Sequence, residues 1–156
     1  MKFILKILFF PLIFVFYFIK RLNLKNALKK VKIHAIDSLN GYEFEKFISN
    51  VFFAFGYNAT VTKKGADRGV DIIATRFTQK VAVQTKMYYN HNVSNSAIQQ
   101  IYTAKEYFNA NIAVVVTNSY FTKSAIELAE KLSVVLIDRT TLTSVLSGTN
   151  LKKFIG

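Results

Sequence analysis

Apolar positions recur along this chain in two rhythms. In "GYEFEKFISNVFFAFGY", residues 41–57, Phe44, Phe47, Ile48, Val51, Phe52 and Phe55 share one helical face. That spacing predicts an amphipathic helix, and Gly56 is a natural stop for it. "NATVT" (58–62) then reads as a short strand, and "GVDIIATR" (69–76) and "QKVAVQTK" (79–86) read as two strands joined by a tight turn. "SNSAIQQIYTAKEYFNA" (94–110) returns to the helical period, with Ser94 or Asn95 at its cap. "IAVVVTN" and "SVVLID" are continuous apolar runs, the pattern of strands buried on both faces. "TKSAIELAEKL", capped by Thr122, and "TTLTSVLS" supply two further helices.

The predicted order is α-β-β-β-α-β-α-β-α. It implies an α/β domain with a mixed sheet: an antiparallel meander, then strands linked by helical crossovers, with helices on both faces. Pattern alone leaves the strand order open. The domain is expected to span residues 40–147, with residues 148–156 a frayed tail.

The N-terminus follows neither rhythm. From Ile7 to Ile19 the chain is apolar without a charge, and counting from Phe3 across Lys6 gives seventeen residues, the short limit for crossing a bilayer. A secretory signal would need small residues at a cleavage site, which "YFIKRLNLKN" lacks. A core helix would show a polar face. The favoured reading is therefore a hydrophobic membrane-anchor helix over residues 1–22, followed by a basic linker over residues 23–39. Six Lys/Arg between Lys20 and Lys32, against two before the run, place the remainder in the cytoplasm of a single-pass protein.

Charge confirms that division. Of the net +12, residues 1–32 carry eight basic groups and no acid, whereas the rest holds thirteen against nine. The excess belongs mainly to the N-terminal segment, where it suits anionic headgroups. The remaining +4 is compatible with nucleic acid without requiring it. The chain has no cysteine and two histidines, which excludes a disulfide framework and argues against structural zinc.

The chemistry concentrates in "GADRGVDIIATRFTQKVAVQTK", residues 65–86. Strand alternation sends Gln84 and Lys86 out together, with Asp71 at the mouth of the preceding strand. An Asp–Lys ion pair at a strand end is one reading. The other is metal-assisted phosphodiester cleavage. Asp71, Gln84 and the Thr85 carbonyl would hold Mg2+ or Mn2+, and Lys86 would offset charge developing on phosphate.

These segments, together with "VVVTNSYFTKSAIELAE" and "VVLID", occur in the order and spacing of the Mrr-like restriction endonuclease domain. That family is a type IV branch of the PD-(D/E)xK nucleases, and the resemblance covers about residues 40–147. It implies a restriction-endonuclease-like fold, Asp71 as principal metal ligand, and Gln84 with Lys86 as the catalytic pair. It also implies Glu45 as an auxiliary catalytic acid and Gln99 as a polar group facing the site. Lys63, Lys64 and Arg68 form a basic loop suited to DNA phosphate, and Asp67 is a supporting acid behind the metal ligands. Tyr88, Tyr89 and His91 are either base-stacking groups or a packing edge. Three positions depart from the family pattern: Ala66 and Arg68 replace glycines, and Met87 replaces a basic residue.

The implied activity is metal-dependent DNA endonuclease action in restriction of foreign or modified DNA, tethered to the membrane. Cutting both strands would call for a homodimer. The rival reading is a catalytically silent, membrane-tethered DNA-binding module of the same fold; a third is an exported nuclease.

Overall fold

A computed structural model describes residues 2–63 and 68–155, with side chains from residue 15 onward. Its helices are α1 (Lys2–Leu28), α2 (Ile33–Ile36), α3 (Gly41–Ala54), α4 (Asn95–Tyr107), α5 (Lys123–Leu132), α6 (Arg139–Leu146) and α7 (Lys152–Ile155). Its strands are β1 (Asn58–Val61), β2 (Ile72–Arg76), β3 (Gln79–Lys86), β4 (Ile112–Thr117) and β5 (Val134–Ile137).

The five strands lie in sequence order, β1-β2-β3-β4-β5. The first three pair antiparallel, and β3-β4 and β4-β5 pair parallel. The mixed sheet predicted from the hydrophobic pattern is therefore present. Its parallel half follows from the two helical crossovers, since parallel neighbours cannot be joined by a hairpin.

Alternation along β3 and β4 divides the core in two. Val81, Val83, Val114 and Val116 meet Phe44, Ile48, Val51 and Phe52 of α3, with Leu142 and Leu146 of α6. Ala82, Ala113 and Val115 meet Ala97, Ile98 and Ile101 of α4, with Ala125 and Ala129 of α5. Small residues line the second layer, so α4 and α5 sit close to the sheet.

Local chemistry fixes the helix ends. Asn40 and Glu43 form a reciprocal capping box at α3, and Gly56 follows that helix at φ +96, where a Cβ would be strained. Thr122 caps α5 through Ala125 N as expected. Ser94 takes the N-cap position of α4 without a side-chain cap bond; its hydroxyl lies against that of Ser96.

Two boundaries shift. The segment expected as a basic linker is helical and packed: Leu28 and Ile36 are buried, with Leu24, Val31, Ile33 and Leu39 against the same core. Its ragged apolar spacing matches the surface α3 offers, with Tyr17 edge-on to Phe53 and the Lys25 ammonium 4.9 Å from the Phe55 ring. The expected frayed tail also packs, because Leu151 and Ile155 are buried beside β5. The anchor segment is helical as part of α1. Among the described residues, no helix is long and apolar enough to cross a membrane.

Candidate active site

The site forms where β2 stops short of β3. Their register ends at Ile72↔Val83, so residues 84–86 continue with β4 alone on one side. Asp71 N–H donates to the Val83 carbonyl at 2.9 Å, although Ile72 is already the partner of Val83. Two successive residues opposite one is the arrangement of a β-bulge, which re-aims a side chain and ends pairing. The Asp71 carboxylate occupies the place the missing strand would have taken. Its Oδ2 accepts from Thr85 N–H at 2.6 Å and from Thr85 Oγ1 at 3.0 Å.

The far side of the Asp71 segment is held equally. Thr62 N–H donates to the Asp71 carbonyl at 2.9 Å, and the Thr62 hydroxyl donates to the Val70 carbonyl at 2.6 Å. Asp71 is thus clamped between the end of β1 and the end of β3. Its backbone and carboxylate are both positioned before any ligand arrives.

Gln84 leaves β3 on the opposite face, toward α4, and is 2% exposed. Its Nε2 donates to Gln100 Oε1 at 3.0 Å. Its Oε1 is buried and has no hydrogen-bond partner among the described residues. Buried carbonyl oxygens are nearly always paired, so an orphan is costly and points to an absent partner. Gly69 closes over this amide: a Cβ there would stand 3.2 Å from Gln84 Nε2, at φ +88. Lys86 follows on the same face by alternation, half-buried at the end of β3.

Glu45 is half-buried on α3. One turn further along, Ser49 donates to the Ala59 carbonyl of β1 at 3.3 Å. Because β1 runs back along α3, that turn carries Glu45 toward Val61 and Thr62, beside Asp71. Lys63 is exposed just beyond. Lys64 and Asp67 lie outside the described residues.

Arg68 adopts φ 46, uncommon for a residue with a Cβ, and its guanidinium lies 4.1 Å from the centre of the Tyr107 ring. With Gln99, Gln100, Thr103 and Tyr107 it lines a groove of about 420 Å³. Gln99 is exposed on the groove wall, and it is Gln100, one position on, that reaches Gln84. Thr62, Gln100 and Tyr107 are the site residues that sequence reasoning missed.

A second polar cluster sits at the same end of the sheet. Arg139 binds Asp37 through both Nη atoms, at 2.7 and 2.8 Å. Asn118 donates to Asp37 Oδ1 at 3.1 Å and to the Tyr88 carbonyl at 2.9 Å, and accepts from Tyr88 N–H at 2.8 Å. The Arg139 hydrogen bonds hold the Asp37 carboxyl below its ordinary value, against the opposing effect of burial. Tyr88 and His91 stack on each other at 4.0 Å, and the Tyr89 hydroxyl donates to the Leu39 carbonyl. Asp138, next to Arg139 in sequence, caps α6 through Thr141 N–H.

The donor set fits a divalent cation of the hard, oxygen-preferring kind. The Asp71 carboxylate and the orphaned Gln84 Oε1 both stand at the open end of the β2–β3 hairpin, one an anionic and one a neutral oxygen donor. Among the described residues no group of three or more His, Cys, Asp or Glu could hold a metal. Any ion here would therefore rely on amide and carbonyl oxygens beside few acids.

Comparison with known families settles the lineage. The restriction endonuclease family Mrr_cat matches residues 36–146. The chain belongs to that family. Among curated proteins, none is significantly similar in sequence. Three solved structures share the fold. The DNA modification-dependent restriction endonuclease AspBHI superposes at TM-score 0.60 with 18% identity, covering 83% of this chain and 36% of its own. The protein of unknown function AF1548 gives 0.57 with 15% identity, covering 64% and 58%. The MspJI restriction endonuclease, solved with a 27-mer oligonucleotide, gives 0.53 with 21% identity, covering 78% and 30%. The chain spans less than two thirds of each. Its Mrr_cat region begins at Ile36, within the segment the structure folds into the core.

Proposed function

We propose that this Mrr_cat chain is a metal-dependent DNA endonuclease that hydrolyses phosphodiester bonds in the restriction of foreign or modified DNA. The observation that carries the proposal is the presence, at one end of the β2–β3 hairpin, of a clamped carboxylate and of a buried amide oxygen without a partner among the described residues, with a lysine two residues on. A fold that gained nothing from Gln84 would have no reason to bear the cost of its orphaned oxygen.

Asp71, Gln84 and the Thr85 carbonyl would hold Mg2+ or Mn2+. When bound, the ion supplies charge to polarise the scissile phosphate and a lowered pKa for water. The protein's own groups do the positioning. Thr85 and Thr62 fix Asp71, so no reorganisation is needed as charge develops. Gln100 and Gly69 fix the Gln84 amide, with its oxygen turned away from Gln100. Lys86 brings a positive charge to the phosphate as the P–O bond to water forms and one ester P–O bond breaks. Glu45 adds acidic character from the α3 side. Lys63 and Arg68 engage phosphates along the Tyr107 groove, a contact that gives affinity without sequence choice; Lys64 and Gln99 extend that role, and Asp67 supports the metal ligands.

One such site cuts one strand, so double-strand cleavage requires a homodimer. The apolar run over residues 3–19 supports attachment to the membrane, with the nuclease domain in the cytoplasm.

A plasmid-nicking assay with Mg2+ or Mn2+ tests the reading. Asp71→Ala and Lys86→Ala should each lower nicking at least about a hundredfold, while circular dichroism stays native. If wild type shifts DNA on a gel but never nicks it, the catalytically silent DNA-binding module is the correct account.

A further inference from the structure

The two ends of the β2–β3 hairpin differ sharply. Asp71, Gln84 and Lys86 mark the open end. At the turn end, Phe77 is 93% exposed and adopts φ 49. Beside it, the Arg76 guanidinium lies 5.4 Å from the Phe77 ring centre.

Arg76 also lines a groove of about 320 Å³ between α1, the end of α3 and the start of α7. Arg21, Lys25 and Lys152 line it too, over an apolar floor that includes Phe18 and Leu22, and no acid is among the lining residues. Arg21 Nε is buried and has no hydrogen-bond partner among the described residues. Four cations with no acid among the lining residues, one holding a buried donor unpaired among the described residues, form a receptor for an anionic oxygen group.

The surroundings select the anion. Phe18 (54% exposed) lines the groove from α1 with Ile19 (50%) the next residue along, and Phe77 projects from the neighbouring turn. Exposed apolar groups ringing a cationic pocket match a bilayer interface, where the rings enter the acyl boundary and the cations meet phosphate. β3 has eight residues, so the groove and the Lys86 end stand roughly 25 Å apart at about 3.3 Å per residue.

We propose that this groove binds the headgroup phosphate of anionic phospholipid, docking the domain on the bilayer by its hairpin end. The Asp71–Lys86 site then faces away from the membrane, open to DNA. The inference shares the membrane reading of the N-terminal run, and Phe18 and Ile19 with it, but its four cations lie outside that run.

The chain has no tryptophan, so Phe77→Trp in the full-length protein introduces a single fluorophore at the exposed turn. The variant is mixed with vesicles of phosphatidylcholine alone or of phosphatidylcholine with phosphatidylglycerol, and flotation is read alongside emission. We expect a blue shift and quenching by brominated lipid only in the anionic vesicles. Adding Arg76→Gln and Lys152→Gln should lower the docked-to-undocked ratio about thirtyfold, at about fivefold per cation, and leave plasmid nicking unchanged. High salt should act in the same direction. Flotation with both vesicle types while the tryptophan stays in water would overturn the docking and keep the anchor. Flotation with anionic vesicles alone, with the blue shift, would keep the docking and remove the anchor. A spectral response to a DNA duplex and none to vesicles would reassign the groove to nucleic acid and overturn the proposal.

Discussion

Two polar clusters stand at the same end of the sheet and are built on opposite terms. In the Asp37–Asn118–Arg139 cluster both carboxylate oxygens are met, the Asn118 amide is used on both its atoms, and Arg139 adds a bond to the Asn118 carbonyl. In the Asp71–Gln84 cluster, a carboxylate is clamped by backbone and hydroxyl donors while a buried amide oxygen is left unmatched. Polar burial is common to both, so burial alone does not mark a site. Incomplete satisfaction does, because stability has been forgone where a ligand would restore it. The closed cluster ties the N-terminal segment to the loops after β3, β4 and β5, and the open one leaves the Gln84 oxygen unmatched among the described residues.

Breaking the closed cluster should have the larger effect on folding. Asp37→Ala removes both hydrogen bonds to Arg139 and leaves a partly buried guanidinium without its carboxylate. The expected loss is about 2 kcal/mol, the scale of hydrogen bonds to charged groups, read by urea denaturation. Nicking at a temperature where the variant is folded should be little changed. A loss of activity without a loss of stability would reverse the roles assigned to the two clusters.

The open cluster should respond in the reverse sense, through two substitutions at Gln84. Gln84→Glu adds a charge to the oxygen donors and should tighten Mg2+ binding to the DNA-free protein about tenfold, since affinity follows ligand charge. Wild type should bind the ion weakly until DNA phosphate joins the site, and tight calorimetric binding to the free protein would contradict this. Gln84→Met keeps the volume, removes the orphaned oxygen and releases Gln100, which is exposed, to water. It should raise stability by about 1 kcal/mol while abolishing nicking. Unchanged or lower stability would show that the orphan costs nothing, and the comparison would lose its energetic basis.

These differences were unequally legible in the sequence. The placement of Asp71, Gln84 and Lys86 at one end of the sheet could be read because strand period and turn position are local: alternation sends 84 and 86 to one face whatever the rest of the fold does. The β-bulge was not legible, and it is what turns Asp71 to Thr85. Gln99 was named where Gln100 makes the contact. Adjacent helical residues differ by about 100° of phase, and which one faces β3 depends on how α4 seats on Ala82 and Ala113. The linker and tail were misjudged for a related reason. Leu28, Ile36, Leu151 and Ile155 are sparse in sequence and become core only because α3, α6 and β5 leave a surface for them. The Asp37–Arg139 pair joins positions 102 apart, beyond any local pattern.

The smallest effect tests the closed cluster through its titration. Hydrogen bonds from Arg139 outweigh the opposing effect of burial and lower the Asp37 carboxyl below the ordinary aspartate value of 3.8. Above that value the carboxylate is charged in folded and unfolded chains alike, and its pairing contributes fully to stability. As pH falls through 3.8 and then through the lower folded-state value, the unfolded chain takes up the proton first and the contribution disappears. Asp37→Asn lacks this titration. Its melting temperature should therefore lie below that of wild type at neutral pH, and the gap should close as the solution is acidified past the carboxylate range. With Asp37 about a third exposed, the gap will be modest, because solvent screens the pair. A gap that persisted at low pH would mean that Asn118 and Tyr88, rather than the ion pair, hold the loops together. The closed cluster would then be a packing feature in which charge has little part.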